Sequence, residues 1–503
     1  MTSAPIHNRY EKYRKMLTEI ADLEKIIALM QWDQEVNMPS AANAFRARQI
    51  SRMAAQHHEM AVSEDYYDVL ASLLDDDTLN NHQQMNVQRS MEDYQQEKRL
   101  PSEFVVRLSE AVAKSHQGWV DAQKENNFRL LEPHLEQIVA LKREQAQLLG
   151  YKDHPYDALL NNYEKGLTVV ELDEVFTGLK HQLGKLLDEI RGARATAPPS
   201  LKMVFPRQKQ LDLCRVIASE FGFDFSRGRL DLSAHPFSLD LNPRDVRITT
   251  RIQEEDLMES LSSVIHEVGH GLYGQGLSLK EYGLPGGEAA SLSIHESQSR
   301  LWENQVGRSE AFVNGYYQLI SNYFPEVLKD ISAFDFFRAI NQVRPSFIRT
   351  SADEITYHFH ILIRYELEKE LISGAMEVSY LPQGWKEKYQ KYLGLEVPDD
   401  NRGVLQDLHW AHGDIGYFPT YSLGSLYGAQ FYAAAEKAIP DLDEHIRHKH
   451  YKPLLKWLKK NIFAHGRLFT SKELCEQVTG EPLNYKYFDE YARKKYRIVY
   501  GIK

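Results

Sequence analysis

The sequence predicts a mainly α-helical protein with one small β-sheet. Apolar residues recur at steps of three and four over most of the chain, as they do on amphipathic helices. Only residues 237–252 alternate polar and apolar positions, as a half-buried strand does. The chain has 503 residues, of which 43% are hydrophobic, and a chain of this length usually exceeds a single core. We therefore expect two lobes, or one elongated helical body with a cleft.

The first 195 residues are predicted to form a helical lobe. Residues 9–31 carry an apolar stripe at helical spacing, and Pro39 ends this first segment. Further helices are predicted, in chain order, at 41–61, 81–98, 102–125, 132–149 and 170–191. Residues 191–200 are rich in Ala and Pro and form a candidate linker. They would separate an N-terminal lobe, 1–195, from a second lobe, 200–503, although one continuous domain over 1–503 is the alternative.

The second lobe is predicted to begin with the small sheet and to continue as helices. A β-hairpin at 237–252 would turn at Asn242-Pro243. Helical spacing then returns over 255–273 and 288–306. Loops are expected, in chain order, near 282–288, 397–404 and 412–425.

Charge, cysteine count and hydropathy disfavour several classes of protein. The net charge of −11 and the pI near 6.0 disfavour a nucleic-acid binder, which would carry a basic surface. Two cysteines do not make a disulfide framework. The N-terminus lacks the features of a signal peptide, and no run of about 18 apolar residues indicates a membrane span. We expect a cytoplasmic protein that binds neither nucleic acid nor membrane.

The most informative stretch is His-Glu-Val-Gly-His at 266–270. On a helix, His266 and His270 lie one turn apart on the same face and can share one cation, with Glu267 beside them. A zinc hydrolase needs this arrangement: two nitrogen ligands, and a carboxylate that takes a proton from water. Gly269 and Gly271 weaken the helix but allow close approach near the site. The motif therefore favours a zinc peptidase with Glu267 as its general base.

A third protein ligand is expected on the next helix, because catalytic zinc usually has three protein ligands and an open position. Glu296 in His-Glu-Ser-Gln, 295–298, completes a His₂Glu set, and His295 is the alternative. Glu303 lies two turns further along the same face and is a candidate for orienting a ligand histidine. A helical binding scaffold with a structural zinc is disfavoured, because structural sites usually have four ligands and are rich in cysteine.

The chain resembles the carboxypeptidase Taq family of metallocarboxypeptidases almost from end to end. The shared motifs occur in the family's order and without departures: Gln-Trp-Asp-Gln-Glu-Val-Asn-Met-Pro at 31–39, His-Pro-Phe at 235–237, Asp-x-Arg-x-Thr at 245–249, the metal motif at 266–270, His-Glu-Ser-Gln at 295–298, Ile-Arg-x-x-Ala-Asp at 348–353 and Gly-x-x-Gln-Asp-x-His-Trp at 403–410.

This resemblance implies removal of single residues from peptide C-termini with broad specificity. It also implies a two-lobed helical body with a deep active-site groove and the small sheet near the metal, and a homodimer. The expected cofactor is one Zn²⁺ per subunit, for which Co²⁺ can substitute. The alternative function is an endo-acting oligopeptidase that uses the same metal site.

Two further catalytic residues are expected in the region after residue 408. His409 and Tyr421 resemble the pair that stabilises the oxyanion in related oligopeptidases with the same metal motif. We assign them to donate hydrogen bonds to the carbonyl oxygen as negative charge develops on it. Tyr417 and His412 are the competing candidates.

A carboxypeptidase must also recognise a free carboxylate, which a guanidinium binds through two parallel hydrogen bonds. Arg349 is the first candidate, followed by Arg344 and Arg247. His235, from the His-Pro-Phe motif, completes the predicted substrate-binding set. Asp407 is a candidate for holding one of these groups in place.

Overall fold

The computed structural model describes residues 4–193, 195–201 and 203–502, with side chains from residue 9 onward. The protein is 68% helical and has one three-stranded sheet, which confirms the predicted fold class. Among the described residues, no helix has both the length and the apolar character needed to cross a bilayer.

Among the described residues, eight α-helices lie before residue 195. They are α1 (Ala4–Val36), α2 (Asn43–Ala61), α3 (Glu64–Leu74), α4 (Asn81–Lys98), α5 (Ser102–Glu125), α6 (Glu132–Leu149), α7 (Pro155–Leu160) and α8 (Val169–Gly192). The helices predicted at 81–98, 102–125 and 132–149 have the predicted limits. Helix α3 was not predicted, although Ser63 caps it and four buried apolar residues follow at helical spacing.

The sheet, the helix before it and the two helices after it come next in the chain. These elements are α9 (Arg207–Phe221), β1 (Gly228–Leu232), β2 (Ser238–Asn242), β3 (Asp245–Thr250), α10 (Leu257–Gly276) and α11 (Leu292–Arg300), which continues as a π-helix over Leu301–Val306. The hairpin of β2 and β3 is antiparallel, as predicted. Strand β1 was not predicted; it pairs in parallel with β3, so the strand order is β1-β3-β2.

Helices make up the remainder of the chain. They are α12 (Glu310–Tyr323), α13 (Pro325–Leu328), α14 (Ala333–Ile340), α15 (Thr356–Ser373), α16 (Leu381–Leu393), α17 (Pro419–Ala438), α18 (Leu442–Arg447), α19 (Lys452–Asn461), α20 (Ser471–Thr479) and α21 (Lys486–Tyr500). The loop prediction for 412–425 is wrong from residue 419 onward, because α17 begins there with Pro419 at its first position.

Two hydrophobic cores stabilise the fold. The larger extends from Phe104 to Val499 and contains residues from both sides of the predicted linker. The smaller is built mainly from α1, α3 and α4, with Leu284 against them. The proposed division into lobes at 195–200 stays a prediction, since shared packing alone does not define a domain boundary.

The C-terminal helix α21 contributes a buried ion pair that provides a stability prediction. Lys495 Nζ lies 2.8 Å from Glu354 Oε2, and these side chains are only 5% and 2% exposed. Lys495→Met would leave Glu354 buried without its cation, so we expect the free energy of unfolding to fall by about 3–5 kcal/mol. Urea unfolding measures this change.

The matched control is Lys472, whose Nζ also lies 2.8 Å from a carboxylate, that of Glu171, but at the surface. Water screens an exposed pair, so Lys472→Met should leave the free energy of unfolding almost unchanged. Equal stability of the Lys495→Met protein and the wild type would contradict the prediction.

Candidate metal centre

Three side chains meet between α10 and α11 in an arrangement suited to a divalent cation. One ligand atom from each of His266, His270 and Glu296 lies within 4.8 Å of the other two. Glu296 Oε2 is 3.6 Å from His266 Nε2 and 3.5 Å from His270 Nε2. Ligands about 2.0–2.1 Å from a tetrahedral zinc lie about 3.4 Å apart, so the donor types and their separations fit one shared ion.

Glycines allow the helices of the site to pack closely. A Cβ at Gly269 of α10 would lie 2.6 Å from the Cα of Ser299 in α11. A Cβ at Gly424 of α17 would lie 2.5 Å from the Cγ of Glu296. Glycine is therefore required where these helices press on α11, as predicted for Gly269. Gly271 instead makes room for Phe223, away from the ligand cluster.

His295, the alternative ligand, is directed to another partner. Its Nε2 lies 3.3 Å from Asp240 Oδ2 on β2, and its ring stacks on His270 with the centroids 4.3 Å apart. It therefore packs beside His270, while Glu296 lies close to both His266 and His270.

Charged side chains form hydrogen bonds with two of the three clustered residues. Glu303 Oε2, in the π-helix, lies 2.9 Å from His266 Nδ1, as expected for a carboxylate that orients a ligand histidine. Arg300 donates from Nε to Glu296 Oε1 at 2.7 Å and from Nη1 to Glu303 Oε2 at 3.2 Å. Arg308 donates to the other oxygen of Glu303. A proton on Nδ1 of His266 leaves its Nε2 lone pair directed at the cluster.

These two arginines were not predicted as site residues. Arg300 lies four residues after Glu296 and three before Glu303, which places all three on one helix face. That spacing was the available signal for its role.

Burial and charge give the acidic residues of the site opposite properties. Burial raises the pKa of Glu267 to about 7, against the attraction of His266. Its Oε2 has no hydrogen-bond partner among the described residues. Burial also acts to raise the pKa of Glu296, but Arg300 and His266 outweigh it and hold the pKa well below its usual range. Glu296 therefore stays a carboxylate that can bind a cation, while Glu267 can accept and release a proton near neutral pH.

His270 is buried in a state suited to metal binding. Burial, reinforced by the neighbouring His295, lowers the pKa of His270 to about 3. A neutral imidazole with a free ring nitrogen is the form that binds a metal.

The structure brings His409 and Tyr421 together. His409 Nε2 lies 3.2 Å from the Tyr421 hydroxyl, and Tyr421 occupies the first turn of α17 rather than a loop. Burial, with smaller contributions from Tyr417 and Glu296, raises the pKa of Tyr421, so its phenol remains a hydrogen-bond donor. Burial lowers the pKa of His409 to about 3, which keeps it neutral.

The two competing candidates differ in their distance from this pair. The ring of Tyr417 is 5.3 Å from that of Tyr421. His412 is exposed, and its Nε2 lies 2.9 Å from Nδ1 of His116 on α5. Tyr417 thus lies next to the predicted pair, whereas His412 points to the surface.

Arg349 is buried and already makes several interactions. Its Nε and Nη2 donate to Asp407 Oδ1 at 3.0 and 2.9 Å, and its Nη1 donates to the Tyr357 hydroxyl at 3.3 Å. Its guanidinium lies 5.0 Å from the centre of the Tyr421 ring. Asp407 also accepts hydrogen bonds from Arg364. Arg349 is therefore fixed beside one of the two predicted oxyanion donors.

The other predicted substrate-binding residues lie on strand β3 and in two loops. Arg247 on β3 pairs with Asp245 and stacks at 4.4 Å over Trp32 of α1. His235 is exposed in the connection between β1 and β2. Arg344 is exposed, and its backbone N–H donates to Asp353.

Comparison with known proteins agrees with this geometry. Residues 12–496 match the model of the carboxypeptidase Taq (M32) metallopeptidase family. "Thermostable carboxypeptidase 1" of Thermus thermophilus is 38% identical over 98% of this chain and 99% of its own length. "Carboxypeptidase 1" of Bacillus subtilis is 36% identical with the same coverage.

Solved structures give the same result. The M32 carboxypeptidase from Deinococcus radiodurans is 38% identical, covers 98% of this chain and 100% of its own, and superimposes with a TM-score of 0.96. The Pyrococcus furiosus carboxypeptidase is 34% identical, with 97% and 99% coverage and a TM-score of 0.94. The chain belongs to the carboxypeptidase Taq (M32) family and is a metallocarboxypeptidase, a hydrolase of peptide bonds.

Proposed function

We propose that this enzyme is a zinc carboxypeptidase that releases single C-terminal residues with broad specificity, with zinc held by His266, His270 and Glu296. The observation that supports the proposal is the convergence of these three side chains next to Glu267, whose buried Oε2 has no hydrogen-bond partner among the described residues. The chemistry that zinc supplies at such a set is that of a Lewis acid, which polarises a peptide carbonyl and lowers the pKa of water. Cobalt is expected to substitute for zinc.

Side chains of the protein transfer the proton and stabilise the developing negative charge. Glu267 accepts a proton from the attacking water and delivers it to the departing amine. Tyr421 and His409 donate hydrogen bonds to the carbonyl oxygen as it gains negative charge. The two side chains are hydrogen-bonded to each other in the structure, so this bond must open before both can donate to the carbonyl oxygen.

Arg349 is the proposed partner of the substrate's free carboxylate. Asp407 and Tyr357 occupy three of its five N–H groups, which leaves one on each Nη atom within the described residues. Two such N–H groups on the outer edge of a guanidinium can bind a carboxylate in parallel. Arg247 and His235 stay secondary candidates, since Arg247 is engaged by Asp245 and Trp32.

The experiment that tests this function compares two peptides with the zinc-loaded enzyme. An N-terminally blocked tripeptide with a free C-terminus should lose its last residue, whereas the same peptide with an amidated C-terminus should remain intact. The amide lacks the negative charge that Arg349 would bind. Cleavage of both peptides at similar rates would instead support an endo-acting oligopeptidase.

The homodimer and the cytoplasmic location expected from the sequence stay predictions.

Glu303 provides a quantitative prediction for the metal centre. Glu303→Gln removes the carboxylate that orients His266, so we expect zinc affinity to fall by about 10- to 100-fold, as is typical for loss of such a partner. Competition with a chromogenic chelator measures this affinity. A variant that binds zinc as tightly as the wild type would show that Glu303 does not orient the ligand.

A further inference from the structure

The segment 409–417 begins at His409, one proposed oxyanion donor, and ends two residues before α17, whose first turn carries the other donor, Tyr421. Two glycines in the segment have positive φ, 75° at Gly413 and 102° at Gly416. The backbone of Asp414 returns to donate a hydrogen bond to the carbonyl of His409. The segment is thus a tight turn, and its two ends lie close together.

A single buried carboxylate, that of Glu368 on α15, binds both ends of this turn. Its Oε1 accepts a hydrogen bond from Trp410 Nε1 at 2.7 Å, and its Oε2 accepts one from the backbone N–H of Gly416 at 2.9 Å. Trp410 directly follows His409, and Gly416 directly precedes Tyr417. Each oxygen of Glu368 therefore holds the neighbour of a residue at the site.

The underside of the turn is also fixed to the first half of the chain. The Tyr156 hydroxyl of α7 donates to the same oxygen of Glu368 that binds Gly416. A Cβ at Gly416 would lie 3.0 Å from the backbone carbonyl of Leu159, also in α7. Glycine is required at this contact because the turn rests directly on the helix.

Burying the charged carboxylate of Glu368 destabilises the folded state. Glu368 is fully buried, and all three of its hydrogen-bond donors are neutral. Burial raises its pKa to about 7, although the hydrogen bonds act in the opposite direction. A glutamine or an apolar residue would be cheaper to bury, but neither can accept hydrogen bonds through two oxygens at once.

We propose that Glu368 is a positioning residue. Its two oxygens clamp the ends of the 409–417 turn, and this keeps His409, and Tyr421 at the start of α17, in place beside the metal centre. The proposal rests on the proposed function of that pair. Glu368 itself acts through Trp410 and Gly416.

The test measures kcat and KM for Glu368→Gln, alone and combined with His409→Ala. Glutamine has one acceptor oxygen, so it can hold only one end of the turn. A displaced catalytic group costs about 10- to 100-fold in rate, and we expect a loss of kcat in this range with KM changed less than about 3-fold. In the His409→Ala background the same substitution should cost less than about 3-fold, because the group that it positions is already absent.

Two further variants complete the test. Trp410→Phe removes only the indole donor and retains an aromatic ring, so it should reproduce the loss of kcat even if Glu368→Gln fails to fold. Glu366→Gln is the matched control on the same helix: its carboxylate binds Lys180 and Lys388, away from the turn, and kcat should stay at the wild-type value.

The possible failures are distinguishable. Equal fold-losses for Glu368→Gln in the wild-type and His409→Ala backgrounds would overturn the clamp alone, since a general structural defect is additive. A wild-type kcat in Glu368→Gln and Trp410→Phe would overturn it as well. A wild-type kcat in His409→Ala would instead overturn the oxyanion role of His409, and the clamp with it.

Discussion

Replacing Glu267 by Gln is expected to lower kcat by about two to four orders of magnitude, the contribution of a well-placed general base. Glutamine has nearly the shape of glutamate but cannot accept the proton of the attacking water. Glu267 is not among the three clustered ligand residues, so the zinc content should remain at the wild-type value. Steady-state kinetics on a free-acid tripeptide and elemental analysis of the purified protein measure the two quantities.

The control for this prediction lies on the same helix. Glu259, in the first turn of α10, binds Arg251 and not the site, so Glu259→Gln should keep the wild-type kcat. The assignment of Glu267 would be wrong if its Gln variant, with a full complement of zinc, kept more than about a tenth of the wild-type kcat.

Replacing His270 by Ala is expected to have the largest effect on metal binding. The change removes one of the three proposed ligands, so zinc affinity should fall by more than the roughly 10- to 100-fold expected for loss of a supporting carboxylate. Activity at limiting zinc should fall in parallel with occupancy. Titration with zinc in a competing chelator gives the affinity.

His295→Ala discriminates between the two possible ligand sets. His295 contacts Asp240, stacks on His270 and is not among the three clustered residues, so its removal should weaken zinc binding much less than His270→Ala does. If His295→Ala lost zinc while His270→Ala retained it, the ligand set would have to include His295.

Much of the fold was predictable because the apolar residues of a long helix recur at regular spacing in its sequence. The helices at 81–98, 102–125 and 132–149 have one buried face and well-defined ends. Strand β1 was missed because it has five residues, of which only Leu230 is buried. The start of α17 was missed because aromatic residues and glycines are as common in loops as in the tightly packed helix that this segment forms against α11.

The candidate site was predictable where chemistry depends on local spacing. His266, Glu267 and His270 lie within one and a half turns of one helix, and their relation follows from helical geometry. The partners of Arg349 could not be predicted in this way. Its contact with Asp407 joins residues 58 positions apart, and the spacing of apolar residues along the chain carries no signal for a contact at that separation.

Anomalous diffraction at the zinc absorption edge, from crystals of the zinc-loaded enzyme, tests most directly whether one zinc ion lies between α10 and α11. We predict one strong peak per subunit, about 2.0–2.2 Å from His266 Nε2, His270 Nε2 and Glu296 Oε2. A peak held by other residues, or no peak at this cluster in a fully active crystal, would contradict this assignment of the metal ligands.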